Sequence, residues 1–597
     1  MRIKHFFGLA VIAAMTASCS SNNELVNGGN GSSENVSGAS YASITIDLPT
    51  TSGTRAANDD FNEGTASEYA VNDATLLIFK KAGKTENDYT FVETAKLGNL
   101  EPWKKDNTTG ITTEATITAE LKQATVGENG DYYALVILNN EAGTGDKVTL
   151  PSGSTTTPTT YGAWNAATNA TNLSATDATN LLLDNTKGFY MANAPEFKAA
   201  DQEPTTLVQI KGIYRTKEEA HSKPGATVHV ERGLAKVTVG KGTGKDYFTG
   251  AKASGSKYSN DDVTITNWAL DVTNKSSFPV HVTSGLKSGV KSAGIPAYAD
   301  IWKNEAATTS TAPATSRFVS QLSATGAFKR VYWGIDPNYS KSLTDKDACG
   351  QEFTLVKADG SDADWKTSTE PLYCLENTFD ITHMLQGQTT RVLLKATYTP
   401  NALATAADKT FFMIGNSSDI WTTKTLKDQI ASKAKDALGM TTDPTVELKG
   451  DLLKGGTHFL TTENVSIKDG ETEKVNTTGL VDKLNNKLGL DKTNGVGIKT
   501  YEKGESYYIA RIKHFGDDLT PWKEGNDTYG ENNLNWLGRY GVLRNNWYNL
   551  TIEKISGPGY PDVPEVKPDT PDDEDTKYIN VSVKILDWAK RSQSVDL

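Results

Sequence analysis

Short apolar runs with a two-residue period recur along this chain, each closed off by Gly, Asn, Asp or Thr. Ala74 to Phe79, Tyr132 to Leu138, Phe189 to Met191, Thr227 to Val230 and Ala235 to Val239 are of this kind. Runs of this length between turn formers read as strands, and their spacing is that of β-sandwiches. A second β-rich block runs from Val263 to about Ile555. Inside it Leu426, Ile430, Ala434 and Leu438 fall at i, i+4, i+8 and i+12 with Gly439 behind them, which predicts one amphipathic helix. Val481 to Leu488 predicts a shorter one. With 597 residues, 17 Phe, 23 Tyr and 11 Trp, the chain can fill more than one core. The expected fold class is mainly β, with two β-sandwich-like domains at 56–240 and 241–556, a few short helices and an extended C-terminal strand.

The start reads as an export signal. Arg2 and Lys4 give a positive end, Phe6 to Met15 an apolar stretch, and Thr16, Ala17 and Ser18 are the small residues before Cys19. Small residues directly before a Cys resemble a bacterial lipobox, although Thr16 stands where Leu is usual. That resemblance implies that 1–19 is a lipoprotein signal ending at a lipidated Cys19, with burial of the acyl chains tethering the product to a membrane. Residues 20–40 are rich in Ser, Asn and Gly and read as a flexible tether. Ile44, Ile46 and Leu48 then alternate with polar residues, the pattern of a half-buried strand. Directly after it, Arg55, followed by Ala56, is the only Lys or Arg between Lys4 and Lys80. A strand is thus joined to the body by a loop that a trypsin-like protease can cut.

The far end mirrors this arrangement. Pro558, Pro561, Pro564, Pro568 and Pro571 and the acidic run Asp572 to Asp575 make 557–577 an expected extended linker that does not pack. Beyond it Ile579, Val581, Val583 and Ile585 alternate with polar residues, followed by Trp588, Val595 and Leu597. A strand on a leash either closes its own sheet or reaches a neighbouring molecule; the leash favours the second.

Other chemistries find little support. The net charge is -12, from 61 Lys and Arg against 73 Asp and Glu, and no basic run offsets it, so nucleic acid is not an expected partner. The seven His form no helix-borne metal pair, and Asp359, Asp362 and Asp364 lack the spacing of a calcium loop. Gly240 to Lys245 resembles a phosphate loop but has Val239 in place of the first glycine and Asp246 where Ser or Thr is needed. No catalytic residues, metal or cofactor are expected, and the chain does not read as an enzyme. Cys349 and Cys374, 25 positions apart, can close a disulfide in an exported protein or remain two buried thiols.

The order of parts, lipobox, tether, strand, Arg on a loop, two β-rich blocks, leash and terminal strand, resembles the fimbrillins of Bacteroidetes, the type V pilus subunits of the FimA and Mfa families. Tyr132 to Asn139, Val230 to Val237, Tyr332 to Tyr339, Tyr373 to Thr378 and Gly541 to Tyr548 are similar to segments of that family. Length and the C-terminal block look closest to the shaft subunit of the minor fimbrium. The resemblance implies transthyretin-like domains and a definite assembly route. A lipoprotein precursor reaches the outer-membrane surface, an Arg-specific protease cuts after Arg55, and the strand Ile44 to Leu48 leaves the N-terminal domain. The terminal strand of another copy, within 578–597, then fills its groove. Partners implied are further copies in a head-to-tail filament, anchor and tip subunits, and the protease; the implied setting is a surface fimbrium serving adhesion and biofilm formation. The rival readings are a tip or anchor subunit, or a monomeric surface lipoprotein that binds glycan or host protein through exposed aromatics such as Trp536 or Trp547.

Overall fold

A computed structural model describes residues 40–49, 65–283, 330–515, 537–572, 579–586 and 591–592, with short breaks inside these ranges, the longest at 104–113 and 173–182. It is mainly β, with many sheets and few short helices. Strands β1 (Ser40–Asp47), β2 (Ala74–Lys80), β3 (Thr90–Lys96), β4 (Glu114–Leu121), β5 (Tyr132–Leu138), β6 (Met191–Asn193), β7 (Val208–Gln209) and β8 (Ala226–Arg232) build one eight-stranded sheet. The order is β3-β2-β5-β6-β8-β1-β4, with β7 beside β5. The two ends of this order are brought together by the buried Glu93 of β3. Its carboxylate accepts the backbone N–H groups of Lys122, Gln123 and Ala124, just past β4, at 2.8, 2.9 and 2.8 Å. Ile44, Leu76, Ile78, Leu135, Ile137, Val228 and Val230 share the enclosed core. Two short helices, α1 (Ala66–Tyr69) and α2 (Lys217–Ser222), belong to this part of the chain, α2 lying against β1 and β4.

One residue after β8, the strand β9 (Leu234–Lys241) enters a second layer. With β12 (Leu372–Leu375), β15 (Trp547–Ile555), β16 (Ile579–Leu586) and β17 (Arg591–Ser592) it forms a sheet of order β12-β9-β15-β16-β17. Facing it are β10 (Ala251–Lys252), β11 (Asp262–Asp271), β13 (Arg391–Thr399) and β14 (Glu505–Arg511). Val237, Val239, Leu550 and Ile552 from one sheet meet Ile265, Trp268, Leu394 and Tyr508 from the other in one buried cluster, the packing of a β-sandwich. A third core lies between 411 and 498. There α3 (Thr423–Leu438) and α4 (Thr478–Lys487) bury Leu426, Ile430, Ala434, Val481 and Leu484 against strand residues such as Phe412 and Ile498. The helix predicted over Leu426 to Leu438 is present and ends at Gly439, in the left-handed region at φ 65°. No helix among the described residues is long and apolar enough to cross a membrane.

On three points the structure adds to the sequence reading: it differs from two expectations and decides between the two alternatives left open for the cysteines. First, 557–572 packs. Tyr560 and Tyr507 exchange backbone N–H···O bonds at 2.7 and 2.8 Å, and Val563 and Val566 are buried. Prolines lack donors but their carbonyls still accept, and buried side chains on the body need acceptors. Tyr501 Oη donates to the carbonyl of Gly559 at 2.7 Å, Tyr508 Oη to that of Gly557 at 2.9 Å, and Arg391 Nη2 to that of Pro564 at 2.6 Å. Gly559 makes the approach feasible: a Cβ there would lie 2.1 Å from the carbonyl oxygen of Tyr507. Second, Cys349 and Cys374 are free and buried, in two different clusters, so no disulfide joins them. Third, the C-terminal strand is an antiparallel neighbour of β15 in its own chain's sheet, with Val581, Val583 and Ile585 in register with Ile552, Leu550 and Tyr548.

Candidate strand-exchange site

Strand β1 is an interior strand although it comes first in the described chain. It runs parallel to β8, with Ile44, Ile46 and Asp47 opposite Ala226, Val228 and His229, and antiparallel to β4, from Ser40 opposite Leu121 to Asp47 opposite Glu114. Ala42, Ile44 and Ile46 are 0 % exposed and Leu48 2 %, so the side chains expected to point inward all do. Fully burying each large aliphatic one contributes about 1.5–3 kcal/mol. The alternate face is less exposed than its polarity suggests. Ser43 and Thr45 hydroxyls bond the Thr118 and Thr116 hydroxyls at 2.5 and 2.9 Å, and Ser43 itself is 0 % exposed. Removing β1 would leave an apolar slot two ladders wide between β8 and β4.

The far end of the slot is charged. Asp47 stands opposite Glu114 on β4, and Nδ1 of His229 stands 3.3 Å from its Oδ2. Burial, then the neighbouring Glu114, pushes the Asp47 carboxyl up to about 6. Burial pushes the His229 imidazole down to about 4, so at neutral pH the ring is uncharged and balances neither acid. Two carboxylates thus meet without a cation between them among the described residues, an arrangement the apolar pattern of the strand did not announce. Its one visible signal was Asp47 itself, the only charge on β1.

Cys19, Arg55 and Ala56 lie outside the described residues. The chain on either side of the expected cut is firmly held: β1 ends it on one side and α1 on the other. In α1 the buried Glu68 accepts from Lys236 Nζ and Tyr373 Oη, both at 2.7 Å, and from the Thr65 N–H at 2.9 Å. Arg232 Nε donates to the Glu68 carbonyl at 2.9 Å. Burial alone would raise the Glu68 carboxyl, but Lys236, Tyr373 and Thr65 hold it below its ordinary value. A cut at Arg55 would therefore free β1 while the body keeps its new end anchored.

Ile579, Val581, Val583 and Ile585 fall on β16, an almost outermost strand with one long ladder, to β15, and a two-residue pairing with β17. Trp588, Val595 and Leu597 lie outside the described residues, as does Trp536. Trp547 is packed rather than presented: its Nε1 donates to Thr238 Oγ1 at 2.7 Å and Lys236 Nζ lies 3.9 Å from its ring centroid. Among the described residues no cluster of His, Cys, Asp or Glu is arranged to hold a metal ion.

Residues 499–594, which contain β14 to β17 and the packed 557–572 segment, match the family model for the C-terminal part of the major fimbrial subunit protein type IV, fimbrillin. These residues are similar to the C-terminal region of fimbrillins. Among solved structures, the chain is similar to the fimbrilin FimA of Porphyromonas gingivalis W83, at 12 % identity over 92 % of this chain and 99 % of that one, TM-score 0.32. It is also similar to a candidate cell adhesion protein of Parabacteroides distasonis ATCC 8503, at 12 % identity over 92 % and 98 %, TM-score 0.34. A fimbrial assembly protein of the same organism is similar at 10 % identity over 60 % and 95 %, TM-score 0.20. No curated protein sequence matches. The match to the fimbrillin model is confined to these C-terminal residues.

Proposed function

We propose that this chain is the shaft subunit of a surface fimbrium, delivered as an outer-membrane lipoprotein acylated at Cys19 and polymerised by strand exchange once an Arg-specific protease has cut between Arg55 and Ala56. The single observation that carries the reading is the placement of β1. A strand on the N-terminal side of Arg55 fills the middle of the sheet between β8 and β4, so one cut converts a complete sheet into one with a vacant slot. While the chain is intact, β1 competes for the slot at the high effective concentration of a tethered segment, and an outside strand loses. After the cut that advantage is gone.

The incoming strand is β16 of another copy. At home it has one long ladder; between β8 and β4 it would have two, which favours the exchange once the slot is open. Five or six apolar side chains would contribute on the order of 10 kcal/mol before ordering costs. Because donor and acceptor surfaces differ, the contact repeats without closing and yields a fibre that serves adhesion and biofilm formation. Anchor and tip subunits would terminate it. The tip, anchor and monomeric-binder readings lack a need for both a cut beside β1 and a terminal strand, and the packed Trp547 offers no platform to the last of them.

The test is gel migration of the full precursor before and after an Arg-specific protease. Ladders should appear only after cleavage, and neither Arg55→Ala nor a chain lacking 577–597 should form them. Ladders from uncut precursor, or from the shortened chain, would sink the reading.

A further inference from the structure

Resting on the strand-exchange reading above, we propose that the terminal strand enters the slot in the direction of β1 and residue for residue, Ile579 in the place of Ala42 and Lys584 in that of Asp47, so that Lys584 of one subunit faces Glu114 of the next. The two segments echo each other in sequence. Ala42, Ser43, Ile44, Thr45, Ile46, Asp47, Leu48 corresponds to Ile579, Asn580, Val581, Ser582, Val583, Lys584, Ile585, and the likeness extends back one residue to Tyr41 and Tyr578. Apolar residues coincide with the buried row, and Ser582 offers a hydroxyl where that of Thr45 bonds Thr116. The one sharp difference is a reversal of charge at the seventh of these eight positions, Lys584 against Asp47.

That difference selects the geometry. Alternation alone allows either direction, because the apolar row reads the same both ways. In the opposite direction Lys584 would take the place of Ser43, at 0 % exposure with the Thr118 hydroxyl as its polar partner, where an ammonium has no counter-charge. In the same direction but shifted by two, Lys584 would take the place of Thr45, whose cross-strand neighbours are Thr116 and Thr227. Of these three placements, the unshifted register in the β1 direction is the one that sets it opposite Glu114. The same exchange removes one acid from a spot where two acids meet, and supplies the cation that neutral His229 does not. The native occupant is thus a placeholder with a flaw, and the incoming one corrects it.

The register is read by cross-linking full chains after Arg-specific cleavage. Ser43 and Thr118 are direct partners, so Asn580→Cys combined with Thr118→Cys should give an oxidant-dependent covalent ladder on non-reducing gels, since opposed residues of an antiparallel pair are within disulfide reach. Asn580→Cys with Glu120→Cys reports the shifted register, in which Asn580 would stand at Tyr41, and with Glu114→Cys the reversed direction; neither should link. A ladder from either of these instead overturns the proposed register while leaving strand exchange intact. Polymers that form with no link from any pair overturn strand exchange at this slot as well. The charge is read separately: Lys584→Gln should slow ladder growth roughly 2- to 10-fold at low salt and leave it unchanged in 1 M salt. Equal rates at low salt would overturn the Lys584–Glu114 pairing.

Discussion

Arg511 Nε donates to Oδ1 of Asp572 at 2.6 Å with both side chains 3 % exposed, and this pair fastens the end of the proline-rich strap to β14. The backbone N–H of Asp572 also donates to the carbonyl of Met384 at 3.2 Å. The C-terminal part of the chain is thus held at a fixed point just before β16.

Breaking such a pair leaves a buried charge without a partner. Asp572→Ala should destabilise the protein by about 3–5 kcal/mol and open the strap locally. Hydrogen exchange should speed up at Tyr560 and Thr570, whose N–H groups are bonded in the packed strap, before the sandwich core responds. Unchanged protection of both would show that the pair does not fasten the strap.

Ile46 gives a two-sided prediction. Ile46→Ala empties a fully buried site and should cost the precursor about 2–5 kcal/mol by thermal or denaturant unfolding. After cleavage at Arg55 the same substitution weakens the departing strand, so polymerisation should be faster than in the parent. A slower rate would contradict the idea that β1 is the strand that leaves.

Asp47 makes the seat of β1 sensitive to pH. Its carboxyl is raised from 3.8 to about 6, so its favourable contribution is full below about 4 and is lost as pH rises through 6. His229, lowered from 6.5 to about 4, has the opposite sign: its contribution is present above 6.5 and lost as pH falls through 4. Glu114 is the charged residue opposite Asp47 on β4. Comparing the precursor with Asp47→Asn cancels the His229 part, which burial sets in both. The variant should melt at a higher temperature than the parent at pH 7 and gain less at pH 4. Identical melting curves at pH 7 would show that the acid pair does not weaken the seat.

The two cysteines offer a direct chemical check. Burial, then Asp345, pushes the Cys349 thiol up to about 11, and burial pushes that of Cys374 up to about 12. A thiol reagent at pH 8 should label neither in the folded protein cleaved at Arg55, and both after denaturation without reductant. No labelling after denaturation would mean a disulfide.

Period-2 runs made the strands legible, because a half-buried strand writes its orientation directly into alternation. Ile44, Ile46 and Leu48 were readable for that reason, and Leu426 to Leu438 was readable because a stop residue closed a helical stripe. Sheet order was not, since nothing local says that β1 lies between β8 and β4, nearly two hundred residues apart in one case and seventy in the other. Composition misled over 557–572: it registers missing donors and cannot register that Arg391, Tyr501 and Tyr508 need acceptors. Glu68 and Lys236 escaped notice for the same reason, being partners only in three dimensions.

The clamp at Asp572 has a mechanical consequence for a fibre built by strand exchange. Only residues 573–578 separate it from β16, and fully extended they reach about 25 Å. Neighbouring subunits would then have little slack between them. Tension along such a fibre could not be absorbed by uncoiling a proline-rich spacer; it would load the Arg511–Asp572 pair in one subunit and shear the ladders beside β4 and β8 in the next. Stiffness under flow would be set by one ion pair and two rows of hydrogen bonds acting in series.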